Sequence, residues 1–311
     1  MTLLLLAVAL DLLVGDPPDR GHPVTWIGRL IRLGRARAPA ASADLVLYGT
    51  FLILIVSGVA AGLALITYAV LGELPGVAAP LAQAWLLKCS FSLRGLTDAV
   101  ELVRGHLVAG DLDGARRQAA WHLVSRPTAD LDRGAVGSAA VESLAENLTD
   151  SFVAPVGFFV AGALLGGPAA GVALAWAYRA VNTADAMIGY HDAELEYLGR
   201  ATARIDDALN YVPARLAAWA LVGGAWLARE SWAGAAAVRR RDAARTASPN
   251  AGQTMAAMAG ALGVTLEKAG HYRLGEGPPP DVQVIDRAVR VEGWAAALAL
   301  AGAALLLARH P

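Results

Sequence analysis

The chain carries one cysteine, Cys89, and two lysines, Lys88 and Lys268, in 311 residues. A lone cysteine excludes an intrachain disulfide and argues against a cysteine-based metal site. Neither lysine lies in a G-x-x-x-x-G-K-[ST] loop, so there is no Walker-type phosphate cradle. Charge is scarce: 17% of residues are charged, against about 25% in soluble domains. The net charge of −1 supplies no field for a polyanion, and no nucleic-acid partner is expected. The histidines, at 22, 106, 122, 191, 271 and 310, show no metal-ligand spacing.

Apolar residues are abundant, at 56%. They fall in runs at 45–71, 77–93, 151–177, 211–228 and 291–308. Length makes 45–71, 211–228 and 291–308 candidates to span a bilayer, while Gln83 and Lys88 interrupt 77–93. The opening "MTLLLLAVALDLLVGDPP" has no basic leader and is broken by Asp11. It reads as a retained hydrophobic helix, short for a span, and not as a cleaved signal. The expected fold is all-α: a polytopic integral membrane protein with several transmembrane or re-entrant helices and polar helical loops. One membrane-embedded domain is expected over 1–311, with 94–150 and 229–290 as polar cytoplasmic segments. The former looks like amphipathic helices. Arginines in 20–37 and 229–245 favour a cytoplasmic position for both regions, in a multi-pass inner (cytoplasmic) membrane protein.

The run 151–177 contains Gly166-Gly167-Pro168, which is turn punctuation. It forms either one kinked helix or a hairpin whose ends emerge on one side. The hairpin is the expectation; it restores the parity that the two arginine-rich segments require, as a hairpin at 45–93 also would. Each arm would hold about 12 to 15 residues, ~18 to 22 Å of helix, too short for a ~30 Å hydrocarbon core. Gly58/Gly62 and Gly162/Gly166 have the G-x-x-x-G spacing of close helix packing, which chance also explains in a chain with 33 glycines.

Polar clusters border these runs. In "ESLAENLTD", Glu142, Glu146 and Asp150 recur every four residues, and Asn147 stands three before Asp150. In "YRAVNTADAMIGY", Asn182 and Asp185 are three apart, close to Arg179. In "ARIDDALNYVPAR", Asp206 and Asp207 precede Asn210 by four and three, between Arg204 and Arg215. "RRRDAARTASPNAG" holds Asp242, Ser248 and Asn250. Each has an ordinary explanation: a solvated helix face, helix caps, Asp–Arg pairs, a Ser-Pro-Asn turn. Three of them repeat a carboxylate and an asparagine amide one turn apart on one helix face. Carboxylate and carbonyl oxygens suit Mg²⁺, which keeps one or two carboxylates beside substrate phosphates. Arginine suits phosphate or carboxylate groups. The composite expectation is Mg²⁺-dependent chemistry on a phosphorylated or carboxylate substrate at the membrane surface.

Taken in order, "DLLVGDPP", "HPVTWIGRLI", "VESLAENLTDSFVAP", "AYRAVNTADAMIGY", "ARIDDALNYVPARL" and "SPNAG…AAMAGALGV" resemble the adenosylcobinamide-phosphate synthase family of cobalamin biosynthesis, the CobD/CbiB type. The likeness runs from near residue 10 to about 275. It implies a membrane enzyme, a carbon–nitrogen ligase. Such an enzyme joins a carboxylate of the corrinoid adenosylcobyric acid to the amine of aminopropanol or its O-phosphate, using ATP and Mg²⁺. On that likeness Glu142, Asp150, Asp185, Asp206 and Asp207 are catalytic candidates, the last four as metal ligands. Asn147, Arg179, Asn182, Arg204, Asn210, Arg215 and Asn250 are substrate-binding candidates. The family commonly has Lys at the position of Arg179, and often Asp at that of Pro127 and Glu at that of Met255. Two rivals remain. A membrane prenyl- or alcohol-phosphate transferase using Mg-diphosphate would show D-x-x-x-D pairs. A non-catalytic scaffold for other corrin-pathway enzymes would tolerate substitution at Asp206 and Asp207.

Overall fold

The computed structural model describes residues 1–18, 20–39, 42–189 and 196–309. Tyr190, His191 and His310 lie outside them. An apolar run must satisfy its own backbone polar groups, and the helix does so within one segment. The order is α1 (Thr2–Val14), α2 (Pro23–Arg35), α3 (Ser42–Gly72), α4 (Ala78–Lys88), α5 (Leu93–Val108), α6 (Leu112–His122) and α7 (Arg133–Leu148). A π-helical turn (Thr149–Val153) leads into α8 (Ala154–Ile188), α9 (Glu196–Leu227), α10 (Trp232–Asp242) and α11 (Ala251–Leu262). A hairpin of β1 (Thr265–Lys268) and β2 (Tyr272–Gly275) precedes α12 (Val282–Ala308). The strands pair antiparallel, Leu266 opposite Leu274, and modify an otherwise all-α fold.

Contacts divide the chain into two compact units. The first comprises 1–92, 154–210 and the residues from 303; the second comprises 93–153 and 211–302, and so holds both polar segments. Stretches 44–72, 133–188 and 282–308 are long and apolar enough to cross a membrane. The 211–228 run is not among them. It is the C-terminal half of α9, where Asn210, Arg215 and two tryptophans dilute its hydropathy.

The 133–188 stretch is not one rod. Gly166 (φ −152°, ψ 23°) and Gly167 (φ 80°, ψ −179°) break α8 into arms at 154–165 and 168–188. Gly167 takes a positive φ that suits glycine alone, and Pro168 opens the second arm, where its missing N–H costs nothing. The arms touch where side chains are absent. A Cβ on Gly162 would lie 2.5 Å from Ala170 O, and one on Gly171 2.6 Å from Phe159 O. Further along, Phe158 stacks on Tyr178 with ring centroids 4.9 Å apart. The expected hairpin is therefore present, but its arms are unequal. The first is ~18 Å long and the second ~31 Å. The second exceeds the expected 12 to 15 residues because the helix continues through the polar 178–188 segment. α3 packs along α8 in this unit, and α1 packs on α4.

In the second unit α7 is central. Every residue from Val136 to Ala145 is buried, so 133–148 is a core helix and not the amphipathic surface helix its polar residues suggest. Ser138, Glu142 and Ser143 are buried with it. Pro155, in the first turn of α8, cannot donate a helical bond, and the chain widens into the π-helical turn just before it.

Candidate functional site

In the first unit, two contacts set the register of α8 against α9. A Cβ on Gly199 would overlap Ile188 O, so the start of α9 lies directly on the end of α8. Ten residues back along α8 and eleven forward along α9, Tyr178 Oη donates to Asn210 Oδ1 at 2.9 Å. The helices therefore run antiparallel in step. Asn182 stands level with Ile205 and Asp206, and Asp185 level with Thr202. Asn210 Nδ2 donates to Asp206 Oδ2 at 2.9 Å. Tyr178 and Asn210 are 1% and 2% exposed, so this chain of bonds is shielded from water and the carboxamide is held in one orientation. Asp185, Asp206 and Asp207 are half-buried, and Arg204 is exposed. Arg179 Nη1 donates to Asn182 Oδ1 at 3.3 Å, and Thr183 Oγ1 to Arg179 O at 2.7 Å. Thr202 Oγ1 is buried and, among the described residues, has no hydrogen-bond partner. Tyr178 and Thr202 are the polar groups here that the sequence patterns miss, since each looks like an ordinary apolar-face residue.

The same unit holds a buried ionic cluster. Lys88 Nζ is 3.2 Å from Asp11 Oδ1 and also pairs with Asp16. Lys88 and Asp11 are both fully buried. Ser92 donates to Asp16, and His22 Nε2 is 3.7 Å from it. His22 Nδ1 accepts from Val24 N at 3.2 Å and so caps α2. Burial raises the Asp16 pKa, but the bonds from His22, Lys88 and Ser92 outweigh burial and hold it well below the ordinary carboxylate value. This is what the "DLLVGDPP" and "HPVTW" blocks build: one lysine tying α1 and α4 to the entry of α2. Burial also pushes the Cys89 thiol up to about 11, against the opposing field of Lys88.

In the second unit, Glu142 is 4% exposed. It accepts from Ser138 Oγ at 2.6 Å and from Tyr272 Oη at 2.8 Å, and Arg126 lies at 3.6 Å. Both oxygens are already acceptors, and they tie α7 to the β-hairpin. Burial, then Glu142, push the Tyr272 hydroxyl well above its ordinary pKa. Met255 Sδ is 3.7 Å from Tyr272 Oη, while Pro127 and Arg126 line a cleft of about 510 Å³ with Ser138, Lys268 and His271. The departures at 127 and 255 thus both fall around the Glu142 contacts. Asn147 Nδ2 turns back to Ser143 O at 2.9 Å. Asp150 sits in the π-helical turn, half-buried. Arg215 Nη1 donates to Asn250 Oδ1 at 3.3 Å. Asp242, the carboxylate of the fourth cluster, is taken up structurally: Arg241 and Arg245 pair with it, and Gly275 N donates to it at 2.8 Å.

Among the described residues no group of three or more His, Cys, Asp or Glu side chains is set to hold a metal ion. Mg²⁺ needs only one or two carboxylates when phosphate and water complete its shell. The hard-oxygen donors Asp185, Asp206 and Asp207 fit that requirement chemically. Asp150, the fourth expected ligand, belongs to the second unit.

Helices suited to a bilayer, with carboxylates and carboxamides gathered at the α8–α9 pair, define a polytopic membrane protein with a polar site beside apolar helices. Residues 4–301 match the model of the CobD/Cbib protein family, and the chain belongs to that family. It is similar to the probable cobalamin biosynthesis protein CobD of Methanothermobacter thermautotrophicus, 41% identical over 282 residues, 89% of this chain and 87% of the relative. It is also similar to the cobalamin biosynthesis proteins CobD of Dehalococcoides mccartyi (39% identical; 89% and 87% covered) and Chromobacterium violaceum (39% identical; 98% and 97% covered). No solved structure matches the chain.

Proposed function

We propose that the protein acts in cobalamin biosynthesis as a carbon–nitrogen ligase of the cytoplasmic membrane. It joins a carboxylate of adenosylcobyric acid to the amine of aminopropanol or its O-phosphate. The observation that carries this reading is the Tyr178–Asn210–Asp206 series of bonds, lying in a chain that matches its family over residues 4–301. The reaction needs the inert carboxylate made electrophilic. Transfer of the terminal phosphoryl group of ATP to a carboxylate oxygen gives an acyl phosphate; the amine then attacks the carbonyl carbon, and phosphate leaves with the bridging oxygen. The protein has no nucleophile to supply in such a route, so its part is positioning and charge stabilisation.

Tyr178 fixes the Asn210 carboxamide, and Asn210 fixes Asp206, so the carboxylate is held without searching rotamers. Asp206, with Asp207 or Asp185, would hold Mg²⁺, which when bound neutralises phosphate charge. Arg179, oriented by Asn182, offers its guanidinium to a phosphate or carboxylate. Asn250 and Arg215 offer the same kind of contact in the second unit. Glu142 serves by holding α7 against the hairpin. Incubation of the purified protein with adenosylcobyric acid, aminopropanol phosphate, ATP and Mg²⁺ tests the reading. Mass spectrometry is expected to find the amide and stoichiometric ADP. ATP-independent release of diphosphate from a prenyl or alcohol-phosphate donor, or no product at all, overturns it.

A further inference from the structure

Two arginines of the second unit converge on the start of α11. Arg215 is on α9 and Arg239 on α10. Arg215 Nη1 donates to Asn250 Oδ1 at 3.3 Å and to Tyr211 O at 2.6 Å, and its guanidinium lies 3.4 Å above the Tyr211 ring. Arg239 Nε donates to Gln253 Oε1 at 3.1 Å, and its guanidinium lies 4.7 Å above the Trp219 ring. Tyr211, Arg215 and Trp219 recur every four residues, so they share one face of α9. Asn250 and Gln253 are three apart at the first turn of α11. These contacts therefore gather both guanidiniums at the start of α11.

Every partner in this arrangement is neutral. Three other arginines of the unit are answered by acids: Arg104 by Asp286, Arg126 by Glu142, Arg287 by Glu230. Among the described residues, neither Arg215 nor Arg239 has a carboxylate partner. Burial, then the charge of Arg215, then that of Arg240, depress the Arg239 pKa. Two partly desolvated like charges held together by amides and aromatic faces leave an anion-shaped deficit. Each guanidinium commits one nitrogen to a side-chain amide and keeps its remaining donors. A planar fork of this kind binds phosphate oxygens bidentately, and the positive end of the α11 dipole adds to it.

We infer that Arg215 and Arg239 form a subsite for a phosphate group, with Asn250 and Gln253 setting the orientation of the two forks. Two carriers bring such a group. One is a soluble phosphorylated substrate, and this version rests on the proposed ligase reading. The other is an anionic lipid headgroup, since Tyr211 and Trp219 are 52% and 55% exposed and aromatic residues of this kind favour the membrane interface.

The test uses the full-length protein and two probes, inorganic pyrophosphate and phosphatidylglycerol. Pyrophosphate affinity is measured calorimetrically in a zwitterionic detergent. Phosphatidylglycerol retention is measured by native mass spectrometry after extraction from nanodiscs of phosphatidylcholine and phosphatidylglycerol. Arg215→Gln and Arg239→Gln are expected to weaken at least one probe by about tenfold or more, the loss of a charge-assisted contact. Arg240→Gln, which removes an equal charge without an aromatic seat, is expected to change neither beyond about twofold. Arg239→Lys keeps charge but not the fork, and is expected to bind the affected probe more weakly than wild type while eluting as a folded protein. Loss of pyrophosphate alone assigns a soluble carrier, and loss of lipid alone assigns the headgroup. Wild-type retention of both probes by Arg239→Gln and Arg215→Gln, or an equal loss in Arg240→Gln, overturns the subsite. Because both assays measure binding without turnover, a failure of amide synthesis by the wild type sinks the ligase reading and leaves this result standing on its own.

Discussion

The Tyr178 hydroxyl and the Asn210 carboxamide meet at 2.9 Å between α8 and α9, both sealed from water. The Asn210 carboxamide, accepting at Oδ1 and donating from Nδ2, therefore connects α8 to the carboxylate at Asp206. Tyr178→Phe keeps the stacking on Phe158 but leaves Asn210 Oδ1 buried without its donor. That costs ~1–3 kcal/mol. A lower midpoint of thermal unfolding in detergent is expected, with a fall in the rate of amide formation. An unchanged midpoint and rate would show the bond to be incidental.

Asp206→Asn and Asp207→Asn each remove one carboxylate charge from the α8–α9 site. Amide formation is expected to fall by about a hundredfold or more, with the helix content intact. If both variants restore growth of a synthase-deficient strain at the wild-type rate, these carboxylates do not form the site. At Arg179 the geometry is more tolerant: Arg179→Lys is expected to keep most activity and Arg179→Ala to lose most of it. Equal activity of Arg179→Ala and wild type would reduce the residue to a helix-end cation reaching for the interface.

Lys88 Nζ lies 3.2 Å from the buried Asp11 carboxylate. Lys88→Met would remove the cation from a buried ion pair, at a cost of ~3–5 kcal/mol. Lys88→Arg is expected to fail as a rescue, because a planar fork does not fit the space of an ammonium held between two carboxylates. Chemical denaturation of both variants checks this. The pH dependence has a definite sign. Asp16 has a folded pKa below its ordinary 3.8, so its contribution is complete above that pH and disappears as the pH falls through the folded value. Stability measured from pH 8 to pH 5 should show no loss from this group, and its contribution should be lost progressively below about pH 4.

The α8 hairpin makes a topological prediction within one unit. Cysteines placed at Gly157 and Ala186, near the open ends of the two arms, should be labelled from the same side by a membrane-impermeant maleimide. One placed at Leu165, at the tip, should be protected by lipid. Cys89→Ser is a safe background, since Cys89 is buried and its thiol, at about 11, is almost wholly protonated at neutral pH. Labelling of positions 157 and 186 from opposite sides would contradict the hairpin.

Helical periodicity alone is enough to place Asp206 and Asn210 on one face, and Gly166-Gly167-Pro168 is enough to announce a turn. Both signals are local, and local rules govern them. The Lys88–Asp16 pair joins residues 72 positions apart, and nothing near either one names its partner. The burial of α7 is equally hidden: Glu142 looks like part of a solvated helix face, and its buried partner Tyr272 is 130 residues away. The length of the second arm of α8 escapes a hydropathy reading because the helix does not stop where its apolar character does. Arg239 is illegible for a related reason: in "RRRD" it looks like one of three interchangeable charges, and packing on Trp219 sets it apart.

The unequal hairpin also constrains how the chain is put into the membrane. A first arm of ~18 Å cannot be released sideways from a translocation channel as a span of its own. Its turn at Gly166 and Gly167 interrupts the helical bonding at depth, and exposed peptide groups there need protein around them. The arms must therefore enter together, already paired through Gly162 and Gly171, against a surface that is waiting for them. α3 is that surface, and it is synthesised some eighty residues earlier. The order of the segments along the chain is then also the order of assembly: the long apolar helix is laid down first, and the re-entrant pair is slotted against it only when both arms exist.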